Sequence, residues 1–367
     1  MTKPETKPAR KSKLLAVAPE TVEPKKPKVL IFGAAGVGKT YQMLLEAQRL
    51  KAAGHDVVIG YFEPHARAET IAQTEGLELV PRKTFEHRGA AFEDMDAAAV
   101  IARKPEFSVV DEFAHTNVPG AERAKRWQDV VALLDAGIHV LTSVNIQHLE
   151  SLNDQVWQVT GIQVRETVPD WVIKEADEVV MVDVTPRALV HRLERGVVYS
   201  AEKAKAALEN FYTEANLNAL RELALRQTAQ QLEERREEAA APPAPASATT
   251  PEGGEKILLW LTPDPSTAML IRRARRVADY LACPCAAVYA DSETHNVEPW
   301  LNICANLRIE ASPIATGNDS HKAIADYART HGISQLFVTR NAPEVSKLVH
   351  LARDIQITIV AERVRPA

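Results

Sequence analysis

The stretch "KVLIFGAAGVGKTYQMLLEAQRL" constrains this chain more than any other. An apolar run ends at Gly33, and a run with helical spacing begins at Lys39. The residues between fit G-x-x-x-x-G-K-[ST], opened by Gly33 and closed by Gly38, Lys39 and Thr40. A strand that passes through a glycine-rich loop into a helix turns successive backbone N–H groups inward, and the helix dipole adds to their field. Such a loop holds the phosphates of a nucleotide. Gly33, Ala34, Ala35, Gly36, Val37 and Gly38 would cradle them, Lys39 would bridge the β- and γ-phosphate oxygens, and the Thr40 hydroxyl would ligate Mg²⁺. ATP with Mg²⁺ is therefore the expected cofactor. The motif does not say whether the nucleotide is substrate, fuel or signal.

A second stretch, "FSVVDE", is a β-branched apolar strand ending in Asp111 and Glu112. It sets two carboxylates at the C-terminal edge of a sheet, beside the loop. Asp111 would hold Mg²⁺ and Glu112 could polarise an attacking water. Two further stretches put polar groups just past strand ends, where open α/β sheets bind ligands. They are "AHTN", with His115, Thr116 and Asn117, and "NIQHLESLND", with Asn145, Gln147 and His148. These groups either sense a γ-phosphate or cap helices, and Asn117 and Asn145 suit both roles equally. Neither His115 nor His148 stands in a kinase context.

Five apolar runs ("KVLIFG", "DVVIGY", "FSVVDE", "IHVLTSV" and "EVVMVDV") alternate with helical patterns, which predicts a mostly parallel sheet flanked by helices, of the P-loop NTPase kind. Gly54 and Gly137 fall where left-handed caps would end helices. After Val184 the pattern is helical to about Glu238, with Leu217, Leu220, Ala224 and Leu225 on one face. The segment "AAAPPAPASATTPEGG" then reads as a linker. Beyond it, strands and helices alternate again on the scale of a flavodoxin-like domain. The predicted division is a disordered basic tail over 1–27, a nucleotide-binding domain with a helical extension over 28–238, a linker over 239–254 and a smaller α/β domain over 255–367.

The chain has 367 residues, 46% hydrophobic and 25% charged, with a net charge of −5, which leaves no electrostatic footprint for nucleic acid. No apolar run reaches the length of a membrane span, about 18 residues or more. The tail lacks the apolar centre of a signal peptide. With only three cysteines, Cys283, Cys285 and Cys304, a reducing cytoplasm is expected, and Cys283 and Cys285 read as packing groups rather than metal ligands.

Three long segments, 28–50, 109–156 and 168–212, within a match over roughly residues 27–232, closely resemble the N-terminal region of KdpD-type potassium and osmotic sensors. They are the loop-bearing stretch above, "VVDEFAHTNVPGAERAKRWQDVVALLDAGIHVLTSVNIQHLESLNDQV" and "VPDWVIKEADEVVMVDVTPRALVHRLERGVVYSAEKAKAALENFY". The second domain is similar, more faintly, to the universal-stress-protein-like domain that follows in that family. The resemblance implies a cytoplasmic regulatory ATP-binding module in two-component control of potassium uptake. Gly33, Gly38, Lys39 and Thr40 match the family's phosphate loop, and Asp111 its magnesium-side strand. Two residues depart from the pattern: Pro64 and Ala66 stand where the family has Thr and Gly, in a loop with Glu63, His65 and Arg67. Family members continue into four membrane helices and a histidine-kinase core, which this sequence lacks, and its Met1 start and "RVRPA" end read as a short form.

The expected function is signalling by nucleotide occupancy, through a sensor kinase or another signalling chain that could recruit it to the inner face of the membrane. A homo-oligomer is compatible with this. The alternative is a free ATPase or small-molecule kinase, for which the one basic constellation is Arg67 with the "PRKTFEHRG" loop around Arg82, Lys83 and Arg88. In the second domain, no glycine follows Gly332 and Pro343 removes a donor, so a phosphate loop after its fourth strand is not expected. Thr262 and Tyr289 would suit a cyclic dinucleotide, but Asp264 would repel its phosphates. The expectation there is a protein-interaction surface.

Overall fold

The computed structural model describes residues 29–64, 67–195, 211–240, 254–317, 319–342 and 345–361, with the side chains of 29–30 and 234–240 excepted. The basic tail, nearly all of the linker, His65, Ala66 and Pro343 lie outside the described residues. Two separate parallel sheets organise the chain.

The first contains β1 (Val29–Gly33), β2 (Val57–Tyr61), β3 (Glu78–Leu79), β6 (Phe107–Val110), β7 (His139–Asn145) and β8 (Glu178–Met181), in the spatial order β3-β2-β6-β7-β1-β8. Each predicted strand is present, and every pairing is parallel. Successive residues face opposite layers, so Ile31, Ile59 and Val109 pack on one side and Phe32, Val58 and Val110 on the other. Helix α1 (Lys39–Ala52) buries Met43, Leu44, Ala47 and Leu50 on the first of these layers. Gly54 and Gly137 are both left-handed just past their helices.

One consequence of the strand order matters for the site. Strand β7 lies between β1 and β6, so its last residues stand between the glycine loop and Asp111.

Between β3 and α3 (Ala97–Arg103), the "PRKTFEHRG" stretch is not a loop. It forms the first strand and the turn of an antiparallel hairpin, β4 (Lys83–His87) and β5 (Ala90–Asp94), in a sheet of its own. Arg88 and Gly89 at its tip both have positive φ, as a two-residue turn of the tight hairpin type requires.

Helix α7 (Pro186–Glu194) and the long helix Glu214–Ala240 follow β8. Leu217, Leu220 and Ala224 are buried there as expected, but Leu225 is 45% exposed. It lies about 100° round the helix from Ala224, beyond the buried stripe.

The second sheet has the order β11-β10-β9-β12-β13, from β9 (Ile257–Trp260), β10 (Cys285–Ala290), β11 (Glu310–Ile314), β12 (Gln335–Thr339) and β13 (Gln356–Val360). Core clusters on both of its faces make it a doubly wound unit. Helix Thr294–Asn306, for which the sequence offers no clean periodic signal, carries Pro299 in its interior. Burial pushes the Cys285 and Cys304 thiols up to about 12, so both stay protonated packing groups.

Helix Thr267–Tyr280 of the second unit lies against the first through Arg272, which bonds Glu150 at 2.8 Å, and Arg276, which bonds Asp154 at 2.7 Å. Among the described residues, no helix is long and apolar enough to cross a membrane.

Candidate functional site

The glycine loop leaves β1 with a backbone that side chains would not permit. A Cβ on Gly33 would come within 2.4 Å of the Val182 carbonyl oxygen, and Gly38 takes a φ of 102° as it opens α1. Ala35, Gly36, Gly38, Lys39 and Thr40 line a cavity of about 460 Å³ above the sheet edge, a size that suits a small-molecule ligand. Gly33, Ala34 and Val37 belong to the same loop but are not among its lining residues. The Arg192 guanidinium on α7 donates to the Val37 carbonyl at 3.2 Å and steadies the loop from outside.

Lys39 is buried, and its ammonium donates to the Ala34 carbonyl at 2.6 Å. Burial lowers its pKa to about 8. The nearby carboxylates of Asp111 and Glu112 work against that shift, and Arg67 adds to it.

Asp111 is 1% exposed. The Ser143 hydroxyl donates to its Oδ1 at 2.7 Å and the Thr40 hydroxyl at 3.3 Å, while its Oδ2 is buried with no hydrogen-bond partner. Burial and the Glu112 charge raise its pKa. A carboxylate with one oxygen held by two hydroxyls and the other free fits a hard divalent cation. Thr40 and Asp111, the pair expected to hold Mg²⁺, are thus within hydrogen-bond distance of each other. Glu112, next along the chain, lines the cavity with a φ of 55°, a left-handed conformation that a residue with a Cβ adopts at a cost.

The two polar stretches behave differently. Asn145, Gln147 and His148 all line the cavity. Asn145 precedes the 3-10 turn Ile146–His148, and its side chain makes no capping bond. The His148 Nδ1 lies 2.8 Å from the Glu166 carbonyl, so this nitrogen carries the proton and burial lowers the pKa of the ring. His115, Thr116 and Asn117 are absent from the lining. The Asn117 amide donates to Asp129 and to the Arg123 carbonyl, and His115 stands 3.7 Å from Asp94. Arg67 reaches the cavity, whereas Arg82, Lys83 and Arg88 do not; Arg82 donates to the Phe62 carbonyl instead.

Arg126 escapes a reading of the sequence. It is completely buried, donates to the Asp111 carbonyl at 3.2 Å, pairs with Asp94 and lies 3.7 Å above the Tyr61 ring. Burial alone would raise the Asp94 carboxyl. Hydrogen bonding from His115, the Arg126 charge and the Val118 and Met95 N–H groups outweigh it and hold that carboxyl well below the usual range. An arginine at the first position of a helix looks solvated in sequence, and nothing local marks this one as structural. Phe211 and Tyr212, also in the lining, come from far along the chain and carry no motif.

Residues 25–232 match the family described as the osmosensitive K⁺ channel His kinase sensor domain, KdpD. A KdpD sensor protein of Synechocystis sp. is 48% identical over 256 residues, 70% of this chain and 68% of that protein. The sensor protein KdpD of Escherichia coli is 40% identical over 366 residues, 95% of this chain and 41% of its own length. That of Mycobacterium tuberculosis is 42% identical over 317 residues, 85% of this chain and 37% of its own. The chain therefore spans well under half the length of the last two.

Proposed function

Because the chain belongs to the family of KdpD osmosensitive potassium-channel kinase sensor domains, we propose that it is an ATP-binding regulatory module of a two-component system controlling potassium uptake. Nucleotide occupancy is its signal. It passes that signal to a kinase at the inner face of the membrane.

The observation that carries this reading is the buried Asp111 carboxylate, with a free Oδ2 beside Thr40 and close to the Lys39 ammonium. That arrangement leaves a buried carboxylate oxygen without a partner and an ammonium held only by a backbone carbonyl, and Mg²⁺ arriving with a triphosphate would satisfy both. Thr40 and Asp111 would hold Mg²⁺, which neutralises phosphate charge when bound. The loop N–H groups and Lys39 would take the phosphate oxygens, and Asn145, which lines the cavity, would register a terminal phosphate.

A free ATPase is the second reading, favoured by one observation: Glu112 and Arg67 share the cavity. Calorimetry and a turnover assay on the pure chain separate the two. The regulatory reading expects ATP binding that requires Mg²⁺, with turnover on the order of 10⁻⁴–10⁻² per second. Turnover above about 1 per second makes the protein an ATPase, and no ATP binding ends both readings.

A further inference from the structure

His148 lines the cavity with one ring nitrogen held and the other open. Nδ1 donates to the Glu166 carbonyl at 2.8 Å, so the proton sits there and Nε2 keeps a lone pair. Nε2 has no partner among the described residues and is not sealed from solvent. Its place is fixed by the backbone as well as by the ring. Val168 N donates to the His148 carbonyl at 2.7 Å, and Glu150 N donates back to the Val168 carbonyl at 3.1 Å. Glu166 is itself tied down, since its carboxylate accepts from Thr116 N at 2.8 Å. An acceptor held in this way is preorganised.

Charge places the ring at the phosphate end of the cavity. The groups whose charges act on it are Glu166, Glu112 and Lys39. Lys39 belongs to the glycine loop, Glu112 stands beside Asp111, and both line the cavity with His148. Burial lowers the pKa of the ring; the bond to Glu166 and the two carboxylates oppose that shift, and Lys39 adds to it. The ring is therefore neutral at pH 7. A neutral imidazole cannot serve a phosphate oxygen through Nε2, because lone pair would meet lone pair. It serves a hydrogen donor, and the small donor needed beside a terminal phosphate is water.

We propose that the His148 Nε2 and the Glu112 carboxylate together hold the water that attacks the terminal phosphate of the bound nucleotide. This rests on the nucleotide reading above. With one hydrogen given to each acceptor, the water turns a lone pair toward the γ-phosphorus. As the new P–O bond forms, the bond from the γ-phosphorus to the β–γ bridging oxygen breaks, and its electron pair leaves with the diphosphate. Glu112 takes the proton that the water loses, and His148 keeps the other hydrogen in line. His148 is thus a catalytic residue of the slow turnover rather than a ligand of the nucleotide.

His148→Asn tests this with the least damage, because an asparagine amide lies near the place of Nδ1 and still donates to the Glu166 carbonyl. In single-turnover hydrolysis on the full chain with Mg²⁺, His148→Asn is expected to be slower by about 100-fold. Its ATP affinity, by calorimetry, stays at the wild-type value. His148→Gln, whose oxygen reaches the place of Nε2, recovers part of the lost rate. A second readout needs neither turnover nor a variant that folds. Diethyl pyrocarbonate acylates an open, neutral imidazole nitrogen. The peptide bearing His148 is modified in the free wild type, and Mg²⁺ with a non-hydrolysable ATP analogue protects it. Unchanged turnover in His148→Asn overturns the proposal, and so does a wild type that binds ATP but never hydrolyses it. Parallel loss of affinity and turnover in His148→Asn also overturns it, for then the ring binds the nucleotide. So does a His148 that the reagent cannot reach in the free chain. No ATP binding by the wild type removes the nucleotide reading itself.

Discussion

The two domains repeat one plan, a parallel sheet with helices on both faces, yet they differ in what they bury. The first buries Lys39, Asp94, Asp111, Arg126, Asp129, Glu150 and Asp154, whereas the second buries no Asp, Glu, Lys or Arg among its described residues. Buried charge costs stability unless it is paired, and it clusters where a protein binds or reacts. The loops after the first strand of each sheet carry the same contrast. In the first domain, glycines keep the backbone of the loop accessible. In the second, the Asp264 carboxylate accepts hydrogen bonds from the Ser266 N–H, at 2.7 Å, and from the Ser266 hydroxyl. Burial alone would raise Asp264, but those bonds and the Asn341 amide outweigh it and hold the group ionised. An anion approaching that loop would meet the protein's own carboxylate.

The hardest blow to that contrast falls on Arg126. Arg126→Ala leaves Asp94 buried without its cation and withdraws a donor from the Asp111 carbonyl. The expected loss is about 3–5 kcal/mol. Calorimetric unfolding of the variant should show an early transition for the first domain and an unshifted one for the second. A single transition at the wild-type temperature rejects the idea that buried charge props the first site.

Lys39→Ala should weaken ATP binding by about 1.5–3 kcal/mol, roughly 10–150-fold, because a desolvated charge-assisted contact is lost. The same titration also tests the second domain. A micromolar ATP site persisting in full-length Lys39→Ala would mean that Asp264 does not block it.

The pH dependence is next in size. With Lys39 lowered to about 8 in the free site, phosphate binding must raise it again. Below that pH the ammonium is already charged and affinity is flat. Above it, binding must take up a proton, so affinity falls up to tenfold per pH unit, or about tenfold between pH 7 and pH 9. Affinity unchanged at pH 9 would mean that Lys39 is solvated rather than buried.

How much of this was legible in sequence follows from how local each signal is. The glycine loop, Asp111 and Glu112 are contiguous motifs on apolar strands, and each can be read within a dozen residues. The interposed β7 cannot, because strand order is decided by pairing across the whole sheet. Arg126 is not marked by its neighbours; it acquires its meaning from partners brought together by the fold. The hairpin at Lys83–Asp94 was obscured for another reason: its strands are mostly exposed and lack the apolar alternation that marks a half-buried strand.

The smallest expected effect concerns the joint between the domains. Asn145, Gln147 and His148 line the cavity, and a few residues later Glu150 and Asp154 hold Arg272 and Arg276 of the second domain. Between them, Ser151 N donates to Asp170 at 3.0 Å, and burial pushes that carboxyl up to about 6. One short segment thus touches both the cavity and the helix Thr267–Tyr280. A group that reorders Asn145 or Gln147 on binding should be felt at those arginines, and by linkage the arginines should be felt by the ligand. The double variant Arg272→Ala, Arg276→Ala is expected to change ATP affinity by about fivefold, near 1 kcal/mol. Hydrogen exchange gives the more direct reading: ATP should alter amide protection over Thr267–Tyr280 in the wild type and leave it alone in the double variant. If ATP changes exchange only within the first domain, the joint is a static contact and the second domain does not receive the signal through it.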